Sequence, residues 1–209
     1  MKRKIYLFAA LIIVFGGCKG IYGLRPYKSL TGEEIGASAL EFNIKSNEIA
    51  ALDTLAYEAY LKEVKDTVLR KFLAQPMQIK IYDSNGKKKW LLVNCEVGGF
   101  GNLKWNRYGS FNKVPPFPPL INYWRIDSLM TLEKDLGFYT KVNGERINRE
   151  DIGAGEFTII IYWARFMGRQ SKRLIEQVQS YKEKNMDKKI SVLYVNVDNL
   201  YYKAFKKKG

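Results

Sequence analysis

The spacing of hydrophobic positions changes character several times along this chain, and each change marks an element. Ile49, Leu52, Leu55, Ala56, Ala59 and Tyr60, then Val64, Val68, Leu69, Phe72 and Leu73 recur every three to four residues with Glu and Lys between them. That spacing predicts an amphipathic helix ending before Pro76. Met77 to Tyr82 and Trp90 to Val93 are apolar-rich runs joined through Asp83-Ser84-Asn85-Gly86. Asn-Gly tolerates the positive φ of a tight turn, so the pair predicts a β-hairpin. From Gly98 to Tyr108 glycines and aromatics mix without a clear period. Val114-Pro115-Pro116-Phe117-Pro118-Pro119 holds four of the six prolines, which predicts a stiff, extended stretch and an internal boundary.

Beyond the prolines the pattern alternates. Ser128 to Leu136 reads as a short helix opened by Asp127 or Ser128, and Phe138 to Ile147, with Asn143-Gly144 at its centre, as a second small hairpin. Phe157-Thr158-Ile159-Ile160-Ile161-Tyr162-Trp163-Ala164 is a nearly continuous β-branched and aromatic run, the pattern of a strand buried on both faces. Leu174, Ile175, Val178 and Tyr181 then line one side of a helix, and Ile190 to Asp198 is again a strand. Strand, helix, strand at this length is a βαβ unit with an expected right-handed crossover.

The first residues are of another kind. Lys2-Arg3-Lys4, the uncharged run Ile5 to Phe15 and Gly16-Gly17-Cys18 follow one another as the charged, apolar and small-residue regions of a signal peptide. The run is about half the roughly 20 residues a spanning helix needs. A cysteine directly after two glycines resembles the lipobox of bacterial lipoproteins, with Phe15 where that family most often has leucine. The resemblance implies acylation of Cys18, cleavage before it and anchoring by several acyl chains; an ordinary secretory signal or an uncleaved anchor is the alternative. Lys19, rather than Asp, follows Cys18, which by resemblance to proteobacterial sorting implies the outer membrane, facing the periplasm. The expected organisation is a leader over 1–17, a tether over 18–30, an N-terminal α+β region over 31–113, the proline linker 114–119 and a further region over 120–209.

Composition narrows the chemistry. The chain has 209 residues, 46% of them hydrophobic, enough for a core. Its formal charge of +14 falls to +11 without Lys2, Arg3 and Lys4, so it attracts polyanions by field alone. Export argues against nucleic acid and leaves anionic lipid or acidic glycan as partners, with Lys203, Lys206, Lys207 and Lys208 placed to meet an anionic leaflet or to serve only as a solvated tail. The absence of histidine removes the Ser-His-Asp and Cys-His triads and the commonest zinc ligand. Cys18 and Cys95 are the only cysteines; with Cys18 acylated, no internal disulfide is left. Cys95, beside Val93 and Val97, reads as a small buried hydrophobe. No cofactor or metal is expected.

Tyr162-Trp163-Ala164-Arg165-Phe166, Asn143-Gly144-Glu145 with Ile147 and Asp151-Ile152, and Val195-Asn196-Val197-Asp198 together resemble the thioredoxin superfamily, in particular its membrane-attached periplasmic branch, over Gly137 to Asn199. The resemblance implies an α/β fold with a thioredoxin-like βαβ core beside the N-terminal α+β region. Where the family carries Cys-x-x-Cys, this chain reads Met167-Gly168-Arg169-Gln170. A thioether has no proton to lose and an amide cannot resolve a mixed disulfide, so thiol–disulfide exchange is chemically unavailable there. Only eleven residues follow Asp198, where the family needs a hairpin, a helix and a cis-proline facing the site. Gln75-Pro76-Met77 with the Asn85-Gly86 hairpin resembles those parts placed earlier, as in a circular permutation, which would set the hairpin next to the Val192 strand. An unrelated N-terminal sheet packed on the βαβ unit is the alternative.

These readings point to a redox-inactive, lipid-anchored envelope protein acting as a binding or scaffolding module for a protein or peptide. The start of the helix at Gly168, Arg169 and Gln170 offers backbone N–H groups and a cation to an anionic group, with Trp163, Phe166 and Pro76 as neighbours; simple core packing of these residues is the alternative. Two further readings stay open: a single-cysteine thiol enzyme using Cys95, and a basic protein that binds anionic lipid or polysaccharide.

Overall fold

A computed structural model describes residues 23–94, 105 and 130–206. Cys18 and the stretch 1–17 read as a leader, Cys95 and the proline run 114–119 lie outside the described residues. Six strands form one mixed sheet: β1 (Ile49–Leu52), β2 (Gln78–Asp83), β3 (Lys88–Val93), β4 (Tyr139–Thr140), β5 (Phe157–Trp163) and β6 (Ile190–Asn196), in the order β3-β2-β5-β6-β1-β4. β5 and β6 are parallel from Phe157↔Ile190 to Trp163↔Asn196, joined through a helix as the sequence predicts. β1 adds in parallel beyond β6, and β4 closes that edge antiparallel to β1.

The Asn85-Gly86 hairpin forms, with Gly86 at φ +74° and β2 antiparallel to β3. It does not lie beside the Val192 strand. β2 pairs antiparallel with the outer side of β5, from Gln78↔Tyr162 to Asp83↔Phe157, because β6 already has β5 and β1 on its two edges. Strands from both sides of the proline run therefore share one sheet, and the described residues form no separate N-terminal sheet packed against the βαβ unit.

The helix expected across Ile49 to Leu73 is broken. Its first four residues are β1, and the rest forms α2 (Thr54–Glu63) and α3 (Thr67–Leu73), following α1 (Gly32–Leu40). The reason is local: Asp53 accepts from the N–H groups of Leu55 and Ala56 at 3.1 Å, and Asp66 from those of Val68 and Leu69 at 2.9 and 3.0 Å. Each aspartate caps a new start, while the small, uncharged Ile49-Ala50-Ala51-Leu52 fits between β6 and β4. Next come α4 (Leu132–Leu136), capped by Thr131 rather than Asp127 or Ser128, and the short α5 (Arg149–Ile152). α6 (Arg169–Lys184) buries Leu174, Ile175, Val178 and Tyr181, and α7 (Asp198–Lys206) ends the described chain. Of the second hairpin only the bridge Thr140↔Arg146 is present.

β5 is buried at every position after Phe157, so both faces of the sheet are covered. Asp53→Ala is expected to lower stability by about 1 kcal/mol, read by denaturant unfolding.

Candidate functional site

The junction of β5 and α6 is the place singled out by sequence, and three aspects of the fold hold it. Ser171 in the first turn of α6 donates to the Ala164 carbonyl at 2.7 Å and its Oγ accepts the Ala164 N–H at 3.1 Å. Asp198, at the end of β6, accepts the N–H groups of Arg165 at 2.5 Å and Phe166 at 3.2 Å, and is itself held by Asn196 Nδ2 at 2.8 Å. Burial pushes the Asp198 carboxyl up, against the pull of these donors. Met77, just after Pro76, brings its Sδ to 3.6 Å from Ser171 Oγ. Pro76 itself is half-buried, two residues before β2.

Residues 23–30 form an extended strap laid over this junction. The Arg25 N–H donates to the Phe166 carbonyl at 2.9 Å, Arg165 reaches the Pro26 carbonyl at 3.5 Å, and Leu30 exchanges two hydrogen bonds with the Asn199 amide at 2.7 and 2.9 Å. Tyr27 packs on Phe166 with ring centroids 4.5 Å apart. Gly23 meets Gly168 so closely that a Cβ at Gly168 would lie 1.7 Å from the Gly23 carbonyl oxygen. Gly168 also sits at φ +50°, ψ −118°, a conformation open almost only to glycine.

Of the residues expected to line a binding surface, Trp163, Phe166, Met167 and Gln170 are all buried, Met167 at 1% and Gln170 at 2% relative exposure; Arg169 alone of the degenerate motif is exposed. Trp163 and Phe166 pack in the main core, with Trp163 edge-on to Phe42 at 5.5 Å. The α6 tip is thus roofed by the chain's own strap rather than open. Trp163 Nε1 and Gln170 Oε1 are buried there without hydrogen-bond partners.

A second cluster was not legible as a site. The β2–β5 register puts Gln78, Lys80 and Tyr82 on one face with Tyr162, and Tyr57, Asp135 and Tyr139 close over them. Lys80 Nζ donates to both Asp135 oxygens at 2.8 and 3.0 Å, to Tyr162 at 2.9 Å and to Tyr139 at 3.2 Å. Tyr82 donates to Asp135 at 2.7 Å. Lys80 and Asp135 side chains are each 1% exposed. Burial pulls the Lys80 ammonium down to about 8, partly offset by Asp135. Burial also opposes ionisation of Asp135, but Lys80 and Lys88 with the Tyr82 hydroxyl outweigh it and hold the carboxyl below its ordinary value. Both groups are charged at neutral pH. Asp135 was visible in the sequence only as an isolated acid, and Lys80 as the polar half of a period-two strand; neither pattern announces a pair 55 residues apart.

Near the β4 edge a cleft of about 330 Å³ is lined by Ser46, Asn47, Lys141, Asn143, Asp151 and Leu193, among others. Lys141 is committed there to Asp151 at 2.7 Å, so the cleft presents a neutralised pair. Among the described residues no three acidic, cysteine or histidine side chains cluster to hold a metal ion, and no helix is long and apolar enough to cross a membrane. Comparison with protein-family models, with curated proteins and with solved structures returns no match.

Two outcomes test this geometry. Gly168→Ala is expected to cost at least about 2 kcal/mol through positive-φ strain and to free the strap, read by denaturant unfolding and by faster proteolysis near Arg25. Lys80→Met and Asp135→Leu are each expected to cost about 3–5 kcal/mol, since each leaves a buried charge uncompensated, and the double variant less than the sum of the two. The pH dependence has a definite sign. A depressed Asp135 adds stability that is present above its ordinary value of 3.8 and is lost as pH falls through the folded value. In Lys80→Met the carboxyl is buried without its cation, its pKa rises, and stability should instead fall with rising pH.

Proposed function

We propose that this protein is a redox-inert, lipid-anchored cell-envelope module with a thioredoxin-like core, acting by binding or scaffolding rather than by thiol chemistry. The observation that carries this reading is the β5–α6 junction: where the resembled family presents a dithiol at a helix start, this chain has Met167-Gly168-Arg169-Gln170, closed beneath its own N-terminal strap. An attacking thiolate needs an ionisable, reachable sulfur. Met167 has neither property.

The arrangement around the junction supports the thioredoxin-like part. A parallel β5-α6-β6 unit carries an antiparallel hairpin on the edge of β5 away from β6, and Met77, just before that hairpin, meets Ser171 in the first turn of α6. The hairpin precedes the βαβ unit in sequence and pairs with β5, not with the Val192 strand that the rearranged chain order inferred from Gln75-Pro76-Met77 called for. The lipid-anchored part rests on the Lys2-Arg3-Lys4 to Cys18 pattern, and outer-membrane placement on Lys19.

Two measurements test the proposal. Purified protein is expected to reduce insulin disulfides no faster than a protein-free control; turnover above that control rejects the redox-inert reading. Mass analysis of the N-terminal peptide from the producing bacterium is expected to show acylated Cys18, and Cys18→Ser to move the protein from the membrane to the soluble fraction. An unmodified or uncleaved N-terminus rejects the anchor.

A further inference from the structure

The strap and α7 lie side by side. Tyr27 stacks on Phe205 with centroids 4.1 Å apart and on Phe166 at 4.5 Å, and Phe166 in turn meets Tyr201 at 5.5 Å. The outer end of this aromatic row is open: Tyr27 is 44% and Phe205 46% exposed. Lys206 is exposed directly beyond Phe205, and the sequence continues Lys207-Lys208. Arg165 reaches the Pro26 carbonyl of the strap at 3.5 Å, and the Arg169 side chain lies against Gly23. Arg25, Lys28 and Lys203 are ion-paired with Glu41, Glu34 and Glu58 and add little net field.

We infer that this face, the Tyr27–Phe205 pair with Lys206 and Arg165 beside it, docks on a bilayer surface carrying anionic headgroups. Aromatic rings that are apolar on one side and wet on the other suit the headgroup level, and a juxtamembrane Lys or Arg contributes about 1 kcal/mol against an anionic leaflet. The reach of the chain agrees. Gly23 is five residue steps beyond Cys18, so an acylated Cys18 holds Gly23 within about 18 Å of the lipid, and the strap's anchorage on Phe166 and Asn199 holds α7 beside it. This orientation deepens the lipid-anchor reading and rests on it for its setting, but the docking chemistry belongs to the folded face itself.

The test therefore uses the chain from residue 18 onward with Cys18→Ser, which has no acyl group. Sedimentation with phosphatidylglycerol-containing vesicles is expected to exceed that with pure phosphatidylcholine vesicles and to weaken with salt. Lys206→Gln should lower the partition coefficient roughly five-fold. Tyr27→Ser/Phe205→Ser should lower it on anionic vesicles without altering the far-UV spectrum. Lys184→Gln, at the far end of α6, changes net charge equally and should have little effect. Equal loss in that control, no preference for anionic vesicles, or retention on heparin with no vesicle binding each overturns the inference. None of those results touches Cys18 acylation, which the mass of the N-terminal peptide decides separately.

Discussion

A charge pair shut away from water underlies the arrangement of this sheet. Lys80 lies in the middle of β2, with β5 on one side and β3 on the other, and both faces of the sheet are covered. An unpaired ammonium there would lose its hydration with nothing in return. Asp135 from α4, with the hydroxyls of Tyr139 and Tyr162, supplies the missing partners, and Tyr82 completes the carboxylate. The pair is not a source of net stability in the way an apolar replacement would be, since desolvation offsets much of its attraction. What it imposes is register. A one-residue slip of β2 would turn Lys80 to the opposite face, among Ile79, Ile81, Ile159 and Ile161, where no acid waits.

The same sheet sets the character of the β5–α6 junction. Asp198, just past β6 and held by Asn196, accepts the backbone N–H groups just after β5, so the turn Arg165–Met167 is fixed from below. From above it is fixed by the strap. A junction tied on both sides, with glycines in direct contact at its apex, is a place where chain segments are held together. That double tie accounts for the burial of side chains that look from sequence like a surface.

Much of the architecture could be read from spacing alone. The β5 and β6 segments, the intervening α6 stripe and the Asn85-Gly86 hairpin all follow from periodicity and turn chemistry, because each is a local pattern with a strong preference. The misreadings came where local patterns compete. Ile49 to Leu52 continues a helical spacing, yet the parallel slot beside β6 and the cap at Asp53 take it into the sheet. The strap looked like a tether because Gly23, Pro26 and Ser29 suit a flexible stretch; only its long-range partners, Phe166 and Asn199, give it a fixed course. Lys80 and Asp135 carry no sequence signal at all, since alternation along β2 assigns Lys80 to water.

Lys80 and Asp135 also stand on opposite sides of the proline-rich run. A fragment ending before those prolines would retain a cation meant for the interior but no acid to meet it, and would lose the β5 edge on which its hairpin is stacked. The complementary fragment would keep the acid and an open sheet edge. Two such pieces would each be poor folders alone and good partners for one another, so the stretch between them joins halves of a single cooperative unit.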